Sequence, residues 1–82
     1  MKVKLEFPIL VSNERVSELE LRMPTLKDIK DLNLDDGIGM TSVLLTRIAT
    51  PAMSEIEVEH IALPDFMRLT EAVSGFFKAS KE

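Results

Sequence analysis

The side chains that could do chemistry are few and poorly spaced for it. His60 is the only histidine, and the chain has no cysteine. A zinc site built on His60 would lack companion ligands, and no thiolate nucleophile is available. As a general base, His60 would need an orienting partner and a pocket. We therefore expect a structural histidine at or near the surface.

The acidic and glycine-containing motifs are also incomplete. Asp35-Asp36-Gly37 resembles part of a calcium loop, but the remaining ligands and the closing glutamate are missing. Glu55, Glu57 and Glu59 are spaced by two, so on a helix they spread around its circumference. Gly37-Ile38-Gly39 lacks the third glycine of a dinucleotide fingerprint. The sequence therefore predicts neither an enzyme nor a site for a metal or cofactor.

Composition limits the class of protein further. The 82 residues include 10 basic and 14 acidic side chains, a net charge of −4, and each half of the chain carries −2. This even, acidic balance disfavours nucleic-acid binding, which relies on clustered Lys and Arg. No apolar run approaches the ~18 residues of a membrane span, and the N-terminus does not resemble a signal peptide. We expect a single domain, residues 1–82.

The first quarter of the chain predicts a β-hairpin. The odd-numbered positions of the first strand are apolar and define one dry face: Val3, Leu5, Phe7, Ile9 and Val11. Pro8 within this strand predicts a sheet edge or a bulge. Residues 12–15 read as a polar turn, and alternation at Leu19, Leu21 and Met23 predicts a return strand over 16–23. The hairpin should span about residues 2–23.

The next part of the chain predicts two helices. Thr25 with Asp28 is a variant of a capping box and starts a short helix that reaches about Leu32. Residues 33–39 read as a connection whose two glycines suit unusual backbone angles. Thr41 or Ser42 is then the expected cap of a second, largely apolar helix.

Two further helices should complete the fold. Thr50-Pro51-Ala52 ends the second helix, and Ser54 with Glu57 forms a capping box for a third that reaches about Ile61. Pro64 and Asp65 begin the last helix, which has a broad apolar stripe. The predicted fold is α+β: an N-terminal antiparallel hairpin packed against three to four short helices in about residues 25–78, with a flexible tail at 79–82.

Five apolar residues lie beside or outside the main helical stripes: Ile38, Met40, Met53, Met67 and Phe77. A core of this size cannot easily enclose every such side chain. Exposed apolar patches usually mark interaction sites, and flexible methionines suit surfaces that adapt to apolar partners. These residues are candidate partner contacts, with plain core filling as the alternative.

The order of the motifs resembles the tail assembly chaperone family of long-tailed phages and prophages, which includes the Mu-like small tail proteins of contractile-tailed phages. The segments that carry the resemblance are Phe7-Pro8-Ile9, Val16-x-x-Leu19-x-Leu21-Arg22-x-Pro24-Thr25-x-x-Asp28, Leu44–Ala49, Met53–Glu57 and Leu63-Pro64-Asp65-Phe66-x-x-Leu69. They extend over nearly the whole chain. The chain departs from the family at two turns, where Asn13 and Pro51-Ala52 replace frequent glycines.

The resemblance implies a non-enzymatic role in the cytoplasm of a bacterial host. Family members bind the apolar, helical tape measure protein before tail tube protein polymerises around it, and they leave before the virion matures. Contact with the tail tube protein and self-association are possible additional partnerships. Four residues match the family pattern and should define the fold: Arg22, Pro24, Asp28 and Asp65. Of these, Arg22 should pair with an acidic neighbour. Asp65 should cap a helix, as Thr25 should.

Two other functions remain open from the sequence. The chain could be a structural tail component that stays in the particle, or it could be a small oligomerisation module. A phage DNA-binding regulator is less favoured, because its candidate recognition helix, residues 41–50, contains Arg47 as its only basic residue.

Overall fold

The computed structural model describes residues 1–78, and the predicted flexible tail at 79–82 lies outside the described residues. A three-stranded antiparallel sheet with the order β1-β2-β3 is formed by Lys2–Val11, Glu14–Leu21 and Ala49–Thr50. The helices α1 to α4 are Leu26–Ile29, Gly37–Ile48, Glu55–Glu59 and Leu63–Lys78. The predicted α+β class and N-terminal hairpin are confirmed. Within residues 1–78, no helix has the length and hydropathy needed to cross a membrane.

The hairpin closes through a two-residue turn. Val11 pairs with Glu14, and the intervening Ser12 and Asn13 have positive φ angles of 53° and 69°. Two successive residues of this kind characterise the tight turns that match the twist of paired strands. Asn tolerates this left-handed conformation better than most residues, so Asn13 can form this turn without glycine.

A bulge interrupts the first strand and changes which side chains it buries. Lys4 pairs with Glu18, but the next pair joins Ile9 to Val16, so residues 5–8 lie opposite a single residue of β2. Pro8 therefore lies in a bulge of an outer strand, as predicted. The prediction that Phe7 faces the core is wrong: its side chain is 54% exposed. The extra residues break the strict alternation on which that prediction depended.

The second strand begins and ends two residues earlier than the alternation suggests, over Glu14–Leu21. It ends at Leu21, and Met23 lies beyond it with 55% of its surface exposed. The Arg22 N–H still donates to the Ile48 carbonyl, 3.1 Å away, at the end of α2. The chain then turns at Pro24 towards α1, so Met23 leaves the sheet before it can reach the core face.

The N-cap of helix α2 lies five residues before the earlier of the two expected caps, Thr41. This N-cap is Asp36, whose Oδ1 accepts from the Gly39 N–H at 3.0 Å. A Cβ on Gly39 would lie 2.2 Å from the Asp36 carboxylate, so glycine makes this close cap possible. No glycine among residues 1–78 adopts positive φ. The two glycines in the predicted connection therefore belong to the first helical turn, and Thr41 is buried.

The capping box of α3 is confirmed. Glu57 Oε1 accepts from the Ser54 N–H at 2.9 Å, and the Glu57 N–H donates to Ser54 Oγ at 3.2 Å. The Ser54 N–H, followed by the Ser12 N–H, lowers the pKa of Glu57 below its ordinary value. The short strand Ala49–Thr50, whose Ala49 pairs with Leu21, was not anticipated from the sequence.

The core lies between the inner face of the sheet and the helices. Its fully enclosed side chains include Leu19 and Leu21 from β2, Leu44 and Leu45 from α2 and Leu69 from α4. Met53, a candidate partner contact from the sequence, is only 5% exposed and belongs to this cluster. A partner could reach it only after local opening, so it is not part of the surface described below.

Candidate functional site

An open apolar groove lies between α2 and α4. It has a volume of about 280 Å³ and is lined by Leu34, Gly37, Met40, Thr41, Thr70, Val73, Ser74 and Phe77. Leu34 and Phe77 form part of its walls and are 57% and 42% exposed. Thr41 and Val73 are each 1% exposed and form its floor. The groove is therefore an opening directly above the packed core.

The start of α2 shapes one side of this groove. The Asp36 cap sets the direction of the first turn, and a Cβ added at Gly37 would have no heavy atom within 4 Å. Gly37 therefore leaves space at the wall. Ile38, its neighbour in the chain, is 73% exposed on the same turn. Ile38 is therefore an uncovered apolar side chain on the first turn of α2, outside the lining of the groove.

The flank of α4 supplies the other side and continues past the groove. Thr70, Ser74 and Phe77 line it at steps of four and three residues. The same spacing continued backwards reaches Met67 and Leu63, which are 57% and 70% exposed. Residues three or four apart lie on one face of a helix. We call the five residues Leu63, Met67, Thr70, Ser74 and Phe77 the α4 flank.

Three of the five candidate partner contacts belong to this surface. Met40 and Phe77 line the groove, and Met67 belongs to the α4 flank. Ile38 is exposed on the first turn of α2 but does not line the groove. Leu34 was missed, because it falls in the connection before α2, where no helical period marks it. In the sequence, Leu34 is only an apolar residue between the polar Asn33 and Asp35.

The groove is electrically neutral along its lining. Its side chains are apolar or carry hydroxyl groups, and Thr70 Oγ1 donates to the Phe66 carbonyl at 2.9 Å within its own helix. The charged Asp35 and Asp36 lie just before α2, at one end. Such a lining offers burial of apolar surface as its main source of binding energy.

The charged residues predicted to define the fold form a separate cluster beside α1. Arg22 makes two hydrogen bonds to the Asp28 carboxylate, of 2.8 and 2.9 Å, so its predicted acidic pairing is confirmed. Asp28 also accepts from the N–H of Thr25, the N-cap of α1. Arg22 first, and then this N–H, hold the pKa of Asp28 below its usual range.

A second bidentate pair belongs to the same cluster. Arg47, near the end of α2, binds the Asp31 carboxylate at 2.9 and 3.0 Å and also donates to the carbonyl of Asp28. The hydrogen bonds from Arg47 lower the pKa of Asp31 to about 2. These contacts join α1 to α2 and position the start of the connection that leads to the groove.

Asp65 has a different role from the predicted helix cap. It is the third residue of α4 and is fully buried. Its Oδ1 accepts from the Glu6 N–H at 2.9 Å, and its Oδ2 accepts from the Phe7 N–H at 3.0 Å. Arg68 Nη2 lies 2.5 Å from Oδ1 and also donates to the Lys4 carbonyl at 2.6 Å. Asp65 and Arg68 therefore tie α4 to the β1 bulge.

The remaining candidates for chemistry lie apart. His60 is exposed at the end of α3, and Asp36 caps α2. Asp35 is exposed, and its N–H donates to Asn33 Oδ1 at 3.0 Å. Across residues 1–78, no three His, Cys, Asp or Glu side chains are grouped so that they could hold a metal ion.

Comparison with known proteins identifies the family of the chain. Residues 2–78 match the model of the family described as phage tail assembly chaperone proteins, E, or 41 or 14. No curated protein and no solved structure has significant similarity to the chain. The match includes the hairpin, the bulge and both walls of the groove. The chain therefore belongs to the phage tail assembly chaperone family.

Proposed function

We propose that this chaperone binds the apolar, helical tape measure protein through the groove between α2 and α4. The interaction is non-enzymatic. It keeps the tape measure protein soluble in the host cytoplasm until tail tube protein polymerises around it, and the chaperone is absent from the mature virion. The observation that carries this proposal is an uncharged, open groove with exposed apolar walls in a chain of this family.

The shape of the surface supports a helical client. The α4 flank runs from Leu63 to Phe77, 14 residues apart, which at 1.5 Å per residue corresponds to roughly 21 Å. About four turns of an apposed helix cover that length. Apolar helices of this kind dock into grooves through anchors at positions i, i+3, i+4 and i+7. Leu34 and Phe77 provide apolar walls for such anchors.

The size of the groove suggests modest affinity per copy. A volume of about 280 Å³ is near the lower end of the range for small-ligand pockets, so each groove takes only a few client side chains. Several chaperones bound along one long client would gain avidity if they also contacted one another. Self-association and contact with the tail tube protein are therefore parts of the proposal that need separate tests.

Co-expression with the tape measure protein of the same phage or prophage tests the proposal. The wild-type chaperone should bring the tape measure protein into the soluble fraction and co-purify with it. Phe77→Ser should reduce the recovered complex by about tenfold or more, since it removes an apolar wall of the groove. Leu26→Ser is the matched control, because Leu26 is 74% exposed on α1, away from the groove.

The two outcomes have different meanings. An insoluble tape measure protein with folded wild-type chaperone contradicts the proposed client. Equal loss of complex with Phe77→Ser and Leu26→Ser contradicts the proposed surface. Mass spectrometry of purified particles separates the chaperone from a structural tail component, because only the structural component should remain at stoichiometric levels.

A further inference from the structure

A second groove lies between β1 and α3 and shares no lining residue with the first. Its volume is about 490 Å³, and its lining includes Pro8, Ile9, Leu10, Ile56, Glu57 and His60. Leu10 and Ile56 are 63% and 67% exposed. Two large apolar side chains from different elements therefore meet around an open space that no residue of the fold fills.

Hydrogen bonds fix the two walls of this groove relative to each other. Glu57 Oε1 accepts from the Ser54 N–H, and Glu57 Oε2 accepts from the Ser12 N–H, both at 2.9 Å. One carboxylate thus links the start of α3 to the hairpin turn. At the other end, Asp65 holds the bulge that precedes Leu10. A groove with fixed walls loses less conformational entropy on binding than one that must first be ordered.

The charge around the groove is negative. Helix α3 carries Glu55, Glu57 and Glu59 in five residues and contains no lysine or arginine. Glu14 lies at the adjoining hairpin end. Arg15, cross-strand from Leu10, offsets one of these charges. The remaining excess favours a positively charged partner, since complementary potentials guide encounter and reject partners of the wrong sign.

We propose that the groove between β1 and α3 is a second protein-binding surface, which takes a short apolar segment flanked by lysine or arginine. Leu10 and Ile56 contact the apolar part, and the exposed Glu55 and Glu59 face the flanking cations. This surface is separate from the groove proposed for the tape measure protein. One chaperone could therefore hold an apolar client on one side and a basic partner on the other.

Nuclear magnetic resonance titration of the ¹⁵N-labelled full chain tests this inference. The probes are two synthetic peptides with the same Leu- and Ile-rich centre, one flanked by lysines and the other by glutamates. The lysine peptide should shift amide signals from residues 9–13 and 54–60. The glutamate peptide should bind at least about tenfold more weakly, and added salt should weaken binding of the lysine peptide.

Matched variants assign the site. Ile56→Ser should weaken binding of the lysine peptide about tenfold, because Ile56 is an exposed wall of this groove, whereas Met67→Ser on the α4 flank should leave it unchanged.

Absence of binding, equal binding of both peptides, or shifts centred on Met40 and Phe77 would overturn the inference. Concentration-dependent dimerisation that Ile56→Ser abolishes would also overturn it, because the occupant would then be a second copy. The probes contain no tape measure sequence, so none of these failures bears on the proposed client.

Discussion

The β1 bulge and the groove between α2 and α4 show opposite uses of polar and apolar groups. In the bulge, the buried Asp65 carboxylate accepts from two backbone N–H groups and from Arg68. In the groove, Leu34 and Phe77 remain partly uncovered, at 57% and 42% exposed, over a neutral lining. A disruption in the sheet is thus held by charge and hydrogen bonds, while an apolar surface above the core is left open.

This difference separates the residues that hold the fold from those proposed to bind a client. A buried carboxylate is costly to desolvate, so its hydrogen bonds must all be made if the fold is to tolerate it. An exposed apolar side chain contributes little to stability and gains energy only when a partner covers it. Substitutions in the bulge should therefore affect folding, and substitutions in the groove should affect binding.

The largest expected effect is on Asp65. Asp65→Ala should lower the free energy of unfolding by about 3 kcal/mol, because it leaves Arg68 and two backbone N–H groups without their acceptor. Asp65→Asn keeps one oxygen acceptor and should cost about 1–2 kcal/mol. Urea denaturation measures both, with Asp35→Asn at an exposed site as the control, expected within about 0.5 kcal/mol. Equal stability of Asp65→Ala and wild type would contradict the role of the carboxylate.

Substitutions in the groove between α2 and α4 should weaken binding more than they weaken folding. Combined Leu34→Ser and Phe77→Ser should lower the free energy of unfolding by less than about 2 kcal/mol, since about half of each side chain is already exposed. Binding of the tape measure protein should fall by at least tenfold, about 1.4 kcal/mol. Urea denaturation and quantitative co-purification measure the two quantities on the same preparations. If the double variant lost stability as strongly as Asp65→Ala, the groove residues would be part of what holds the fold, which would contradict the proposed difference between the bulge and the groove.

The capping box of α3 should give a smaller loss of stability. Ser54→Ala removes the oxygen that accepts from the Glu57 N–H and should cost about 1 kcal/mol. Ser54→Thr retains a hydroxyl and is the matched control. Because the box lies outside the groove between α2 and α4, binding of the tape measure protein by the folded variant should be unchanged. Thermal unfolding checks the first expectation, and co-purification at low temperature checks the second.

The smallest effect should come from pH. Hydrogen bonds from Arg47 lower the pKa of Asp31 to about 2 from its ordinary 3.8. A lowered pKa in the folded state means that this pair contributes fully above about pH 4, and its contribution is lost as pH falls towards 2. Arg47→Gln should therefore reduce the dependence of stability on pH in that window. Denaturation curves from pH 5 to 2.5 measure it, and an unchanged slope would contradict the pairing.

Local sequence signals predicted much of the fold because the interactions that define them are short in range. The Ser54–Glu57 box and the pairing of Arg22 with Asp28 join residues close in the chain. The start of α2 was predicted too late, because Thr41 and Ser42 looked like caps while Asp36 was read as part of a turn. In the structure Asp36 caps α2 by accepting from the Gly39 N–H, and the missing Cβ at Gly39 leaves room for this cap.

The features that the sequence did not reveal depend on contacts between distant residues. Phe7 is turned outwards by a bulge whose acceptor, Asp65, is 58 residues further along the chain. The alternation of apolar residues gave no sign of this contact. Similarly, the groove joins Leu34 to Phe77 across two helices. The sequence indicated an excess of apolar side chains, but only the tertiary structure shows that Met53 is buried in the core and Met67 is exposed.

Site-specific photo-cross-linking to the tape measure protein tests the central claim most directly. A photoreactive phenylalanine analogue would replace Phe77 in the groove or, as the matched control, Leu26 on α1, during co-expression with the tape measure protein. We predict a covalent complex from position 77 and little or none from position 26. Strong cross-linking from position 26 with none from position 77, in two equally folded proteins, would show that the client binds elsewhere.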